Sequence, residues 1–432
     1  MDEKKSYLAG KHLRRLLHQY RVLAIVLLVA AIGITMAVHK AEQEAPPQST
    51  ESSAAEPTPK TAPPSRSPEP EQNGEELRGV WVPFMSLTMG EDQSESAFRE
   101  KFTNIVAVAK EKGMNALIVQ VRPFSDALYP SERYPWSHIL TGTQGKDPGY
   151  DPLAIMVELS HTAGMQLHAW INPLRVRTSA TPAALAENNP ASLWKQSPDQ
   201  ADWTVETDTG LYMNPAYAEV RQYIADGAAE IAANYAVDGI QFDDYFYPTQ
   251  DASFDETAYA AYVTAAKSSG ESLSLSEWRI SNINSLVASV YAAIKNANPD
   301  VVFGISPQGN LQNDLGMAAD VSTWGAISGY VDYLCPQMYV SLQNQALPYA
   351  DTLDAWRALV KNTNTKLYVG LAVYKAGSDA DDGSWQESDD ILSQQVLLGR
   401  KAECDGFLFY SWEYLEKEQT EQEVANVMKV LQ

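Results

Sequence analysis

From Leu77 onward, short apolar runs alternate with longer stretches in which apolar residues recur every three or four positions. The runs are Leu77–Val82, Ala116–Val121, Gln166–Ile171, Gly239–Asp243, Val301–Ile305, Val331–Pro336, Lys366–Val373 and Gly406–Tyr410. Between them, helical periodicity covers Ala97–Lys112, Pro152–Ala163, Ala216–Tyr235, Ser281–Asn298, Tyr349–Lys361 and Ile391–Glu403. Alternation of strand and helix implies a parallel sheet, and eight such units fit an α/β fold of the (β/α)8 TIM-barrel type with loop insertions. An open, doubly wound sheet is the structural rival. No Gly-x-Gly-x-x-Gly follows any of the runs, so the usual dinucleotide site of that rival is missing.

The first 76 residues follow different patterns. Residues 1–21 are basic, with Lys4, Lys5, Lys11, Arg14, Arg15 and Arg21, and an apolar run from Val22 to Val38 follows. A helix there would cover roughly 26 Å, slightly short of a ~30 Å hydrocarbon core. The long basic leader and the lack of an Ala-x-Ala cleavage site make residues 22–40 a transmembrane signal anchor. Cleavage and secretion is the alternative. Positive charge holds the leader in the cytoplasm, giving a single-pass protein of the cell membrane with its main domain outside. Residues 41–76 shift to Pro, Ser, Thr, Glu and Ala and cannot bury enough apolar surface to fold, so they read as an extended tether. Residues 77–432 form the barrel domain, expected as a monomer.

Charge narrows the partners. The chain carries a net −23, and residues 1–40 are net basic, so the remainder is more acidic still. That argues against nucleic acid. Cys335 and Cys404 lie in or beside apolar strands and read as small buried hydrophobes. With no Cys-rich cluster and no His-Glu-x-x-His pair, neither a metal nor another cofactor is expected.

The ends of the strands carry the candidate chemistry. The fourth run ends Phe242-Asp243-Asp244, two acids where a buried strand has little reason to place them. A barrel keeps its reacting groups at the C-terminal ends of its strands. Alternation puts Gln241 and Asp243 on one face and Phe242 and Asp244 on the other. Gln120, Arg122, Asp126 and Tyr129 follow the second run; His168, Trp170, Asn172 and Arg175 lie at the third. The sixth finishes with Gln337 and Tyr339, and the eighth with Trp412 and Glu413. Aromatic faces and multidentate hydrogen-bonders gathered at one rim suit sugar recognition.

Several blocks in one order resemble the glycosyl hydrolase-like family ten. They include Leu77-Arg78-Gly79-Val80-Trp81, Val119-Gln120-Val121-Arg122-Pro123, Tyr134-Pro135-Trp136 and Leu140 to Gly145. Gly149 to Leu153, His168 to Pro173, Asp238 to Pro248, Phe303 to Pro307 and Pro336 to Tyr339 continue the match to about Trp412. The resemblance implies a TIM-barrel glycoside hydrolase of the cell envelope acting on peptidoglycan strands stripped of their stem peptides. It carries the family's paired aspartates onto Asp243 and Asp244, and its strand-end positions onto Arg122, His168, Asn172, Arg175, Gln337 and Tyr339. The segment Gln308 to Asn313 departs from the pattern by lacking an aromatic.

Glycoside cleavage needs one group to protonate the leaving oxygen and another to stabilise or attack the sugar cation. Asp243 fits the second role. Asp244, Glu413 and Asp126 compete for the first, with Asp244 expected to point away unless the strand ends in a bulge. The order Asp238-Gly239-x-x-x-Asp243 and the segment Gln337-Met338-Tyr339 are also similar to family-eighteen chitinases, with Gln241 and Tyr245 where two acids are expected. That likeness favours N-acetylated sugars. Two alternatives stay open: a glycan-binding barrel without catalysis, and a glycosidase acting on another wall polysaccharide or exopolysaccharide.

Overall fold

The computed structural model describes residues 76–432, apart from Tyr245 and residues 268 and 269. The expected leader, the membrane anchor at 22–40 and all but the last residue of the tether lie outside the described residues. Among those described, no helix is long and apolar enough to cross a membrane.

In chain order the strands are β1 (Leu77–Val82), β2 (Ala116–Arg122), β3 (Gln166–Ile171), β4 (Arg175–Thr178), β5 (Thr204–Thr207), β6 (Gly210–Met213), β7 (Gly239–Phe242), β8 (Val302–Ile305), β9 (Tyr333–Leu334), β10 (Lys366–Ala372) and β11 (Gly406–Tyr410). Eight of them close into a parallel barrel in the order β1-β11-β10-β9-β8-β7-β3-β2. The first strand meets the last, Leu77 opposite Gly406. Helices Glu95–Glu111, Pro152–Thr162, Ala218–Asn234, Leu275–Ala297, Tyr349–Leu359 and Ile391–Lys401 occupy the crossovers. This is the (β/α)8 barrel that the periodicity predicts.

Strand residues divide between two apolar cores. Inside the barrel, Leu77, Trp81, Ala116, Ile118, Trp170, Tyr333, Cys335 and Leu408 pack together. Their neighbours Val80, Val82, Leu117, Val119, Ala169, Ile171 and Leu334 face the helices and join the larger outer core. Both faces of each strand are covered, which is why the strands read as continuous apolar runs. The interior is filled by a few large rings, and glycines on neighbouring strands make room for them. A Cβ on Gly304 would stand 2.1 Å from the Tyr333 ring, and one on Gly239 would stand 2.5 Å from His168.

Three features differ from the sequence pattern. β9 is only Tyr333–Leu334, because Pro336 has no N–H to donate and the ladder continues as single bridges from Gln337 to Gln308 and Gly370. The helix expected from Ser281 starts at Leu275, where Ser274 and Glu277 form a reciprocal cap. Finally, β4, β5 and β6 form a separate antiparallel sheet, ordered β4-β6-β5, inserted after β3. Its strands have four residues each; the outer two, β4 and β5, are polar and only partly covered, and the central β6 (Gly-Leu-Tyr-Met) is mostly buried but short.

Packing of this density makes Gly304→Ala an overpacking substitution with no free direction of relief. It should destabilise the domain by about 3 kcal/mol. Gly90→Ala, where an added Cβ meets nothing within 4 Å, should change little. Paired thermal melts check the contrast, and equal melting temperatures would contradict the packing argument.

Candidate active site

The site forms where β3 and β7 run out of the barrel. β7 ends at Phe242, so Asp243 and Asp244 lie just past the pleated segment. Alternation no longer separates them there, and the two carboxyl groups hydrogen-bond to each other. The expectation that Asp244 points away therefore fails. Both side chains are buried, at 7% and 6% exposure.

Asp243 is surrounded by donors. Its Oδ2 accepts from Asn172 Nδ2 at 2.8 Å and from Trp170 Nε1 at 3.2 Å. Its Oδ1 accepts the Asp244 backbone N–H at 2.8 Å. Asn172 is itself held by Gln120, whose Nε2 donates to Asn172 Oδ1 at 2.5 Å, and Gln120 Oε1 accepts the Phe84 N–H at 3.0 Å. Asp244 differs in its surroundings. Burial pushes its carboxyl well above the usual range, and the charge and hydrogen bond of Asp243 add to the rise. Gln308 reaches it as a donor and opposes that shift. Gln308 is steadied by Asn313, which donates to its side-chain oxygen at 2.8 Å, and by Asp314, which accepts its backbone N–H at 3.0 Å.

Aromatic rings gather beside the pair. Trp81 lies 6.5 Å from Tyr339 and 6.0 Å from Tyr410, ring centre to ring centre, and Tyr339 and Tyr410 are 5.8 Å apart. Tyr374 stands edge-on to both tyrosines. Burial raises the Tyr339 hydroxyl well above its usual range, and the charge of Asp243 contributes, so this ring shares the field of the acids. Lys375 Nζ fixes the loop by donating to the Tyr339 carbonyl at 2.7 Å.

The other sequence candidates have different surroundings. Arg122 follows a register shift, with Gln120 opposite Trp170 but Arg122 opposite Ile171. The bulge turns it toward the helices, where its guanidinium lies 4.3 Å from the Tyr134 ring centre and beside Gly227. Arg175 donates to the Pro123 carbonyl at 2.9 Å and lies over Phe124. Asp126 is fully buried and tied to the insertion, contacting His138 Nδ1 at 3.2 Å and accepting from Gln144, which in turn accepts from Asn189. Gln337 donates to the Ser306 carbonyl, within the extended ladder. Glu413 accepts from Ser86 and Ser411 at the β1–β11 rim, on the same turn as Trp412. His168 lies one layer deeper, between Tyr333 and Gln166, and Tyr333 bonds onward to Gln241.

Asp243, Asp244, Asn172 and Tyr339 therefore come together, while Arg122, Asp126 and His168 belong to neighbouring networks. Gln120 and Trp170 stand among the strand-end residues named from the sequence, without a role given to either, whereas Gln308 was missed as a partner of the acids. The period of two assigns Gln120 and Trp170 to the inward face, in register with each other and with Gln241. Gln308 lies in a loop and gives no such signal.

Comparison with known proteins agrees with this architecture. The family described as glycosyl hydrolase-like 10 matches residues 76–387. The chain is 34% identical over 367 residues to glycosyl hydrolase YngK of Bacillus subtilis (strain 168), covering 80% of this chain and 70% of that protein. It is 32% identical over 391 residues to glycosyl hydrolase DigH of Escherichia coli (strain K12), covering 82% and 87%. The fold is similar to the PgaB (BpsB) glycoside hydrolase domain from Bordetella bronchiseptica, with a TM-score of 0.51 at 12% identity over 83% of this chain and 99% of that one. It is also similar to the β-amylase catalytic domain from Paenibacillus polymyxa, at 0.54 and 13% over 82% and 98%. The chain belongs to the glycosyl hydrolase-like 10 family, and it is a glycoside hydrolase built on a TIM barrel.

Burial lowers the His168 imidazole to about 4. The unfolded chain binds that proton from about pH 6.5 downward, while the folded chain resists it to about pH 4. Stability falls with pH across that window. The folded protein should lose about 3 kcal/mol there relative to His168→Gln. Urea midpoints of the two proteins at pH 7 and pH 4.5 check this, and parallel losses would show that His168 is not the group involved.

Proposed function

We propose that this barrel hydrolyses N-acetylated cell-wall glycan, with peptide-free peptidoglycan strands as substrate, and that the sugar's own acetamide takes part in the reaction. The contact between the Asp243 and Asp244 carboxyls carries this reading. In two-carboxylate mechanisms the groups flank the scissile bond at about 5–5.5 Å or 6.5–9.5 Å. Carboxyls in hydrogen-bonding contact reach that bond from one side, which favours an internal nucleophile. The raised proton affinity of Asp244 suits a general acid at neutral pH.

The roles follow from the surroundings. The acetamide oxygen bonds to the anomeric carbon as the bond to the leaving oxygen breaks, and Asp244 gives its proton to that oxygen. Asp243 accepts the acetamide N–H and balances the positive charge of the cyclic intermediate. Tyr339 holds the acetamide oxygen. Water then opens the ring, losing a proton to Asp244 and restoring the starting state with retained configuration. Tyr374 and Tyr410 supply faces on which sugar rings stack, with Trp81 packed behind them.

The wall as substrate also suits residues 1–75. A basic leader, an apolar run and a proline-rich tether support a membrane-anchored protein with its barrel outside. Secretion after cleavage would leave the chemistry unchanged.

The test uses the full-length chain with intact peptidoglycan, peptide-free strands, and peptide-free strands whose N-acetyl groups have been partly removed. Mass spectrometry should find products only from peptide-free strands, with no cleavage at de-N-acetylated residues. Asp243→Asn should lower turnover at least 10³-fold while glycan affinity stays within a few-fold. Binding without turnover in the wild type would favour a glycan-binding barrel. Cleavage at free-amine residues would exclude the acetamide as nucleophile.

A further inference from the structure

The hydrogen bonds that lead to Asp243 have a fixed direction, and that direction begins at a backbone group far from the acids in sequence. The Phe84 N–H can only donate. It points at Gln120 Oε1 from 3.0 Å. A side-chain amide has one oxygen and one NH2, so fixing the oxygen fixes the nitrogen. Gln120 Nε2 therefore faces Asn172 Oδ1, at 2.5 Å. The same rule turns Asn172 Nδ2 onto Asp243 Oδ2, at 2.8 Å. Trp170 Nε1, also donor-only, meets that oxygen at 3.2 Å. Asp243 Oδ1 meets a third obligate donor, the Asp244 N–H.

We propose that Gln120 is a positioning residue that decides where the proton of the carboxyl pair resides: through Asn172 it keeps Asp243 proton-free and leaves the hydrogen between the two carboxyls on Asp244. A proton on Asp243 Oδ2 would point at two N–H groups that cannot turn away. The hydrogen shared by the pair runs from Asp244 to Asp243. Gln308 fits the same scheme, because Asn313 fixes its oxygen and so turns its NH2 toward Asp244.

Gln120 is well placed for this work. It is 2% exposed and is the last inward side chain of β2 before the bulge that sends Arg122 outward. Tyr339, from the loop after β9, is a titratable group that feels the charge of Asp243, and Tyr410 lies beside it. Asp314, on the short helix Leu311–Gly316 that follows β8, accepts the Gln308 backbone N–H. His168 on β3 is engaged one layer below. The relay thus supplies an asymmetry that the two chemically identical side chains lack. Its catalytic meaning rests on the reading of Asp243 and Asp244 as the reacting pair, but its structural claim is testable without substrate.

The experiment is a carboxyl ¹³C titration of the full-length chain labelled at aspartate. Asp243→Asn and Asp244→Asn serve only to assign the two signals. In the wild type, Asp244 should take up its proton at higher pH than Asp243. In Gln120→Met, which fills the space but breaks the relay, the Asp243 midpoint should rise by about one pH unit or more. Asn172→Leu, which removes the same bond from another strand, should move it in the same direction. Thermal melts confirm that each variant is folded. Wild-type titration in the reverse order would overturn the proposal, whatever the variants do. An Asp243 midpoint that stays put in the folded variants would overturn the role of Gln120. On peptide-free strands, Gln120→Met should lower kcat about tenfold with KM within threefold, and its acid limb should move up with Asp243. If those strands are not the substrate, turnover is absent from every protein, yet the titration still decides the question.

Discussion

Two carboxyl groups in contact and out of water cannot both carry charge. At the end of β7 this constraint governs the site, because isolated buried charge is costly and like charges at this distance repel. The protein meets it unequally. Asp243 receives three N–H donors, enough to offset lost hydration, whereas Asp244 is left to hold a proton. Everything that supplies those donors has to be rigid. Trp170 and Asn172 come from β3, the direct neighbour of β7, and Gln120 comes from β2, one strand further round. The barrel serves the acids by placing three consecutive strand ends at fixed spacing.

The inner core follows from the same need. Large rings such as Tyr333 and Trp81 fill the barrel, and glycines on nearby strands admit them. A filled interior keeps the strand ends from shifting, so a hydrogen-bond relay can keep its direction across three strands. The outer core holds the helices and tolerates more variety, since it only has to cover the strands.

Much of this was legible in sequence, for physical reasons that also explain the gaps. Barrel strands are buried on both faces and so appear as apolar runs; observed bounds such as Leu77–Val82 and Gly406–Tyr410 coincide with the runs. The inserted sheet has strands of only four residues, the outer ones polar and half-exposed like Thr204–Thr207, and these are too short to leave a periodic trace. The acids stood out because charge at the end of an apolar strand has no packing purpose. Arg122 has the right type and position for a sugar ligand, yet one extra residue in the β2 ladder turns it to the other face. Gln120 was named at its strand end, but its role was hidden for a different reason. A neutral amide inside a barrel looks like a tolerated polar residue until both its partners are known.

Closure of the ring has a consequence for how the chain acquires its structure. β1 is the first barrel strand to be synthesised and β11 the last, and they are hydrogen-bonded neighbours, Gly79 opposite Leu408. A chain emerging from its N-terminus must therefore leave one side of β1 unpaired until nearly everything else has appeared. Contacts of such long sequence separation are slow to form, because loop-closure entropy is lost before the pairing rewards it. For that interval Trp81, which ends up 2% exposed, lacks its neighbour Tyr410. The arrangement that leaves the finished barrel without a sheet edge gives its opening strand an unpaired edge in the nascent chain, a template for wrong pairing until β11 arrives.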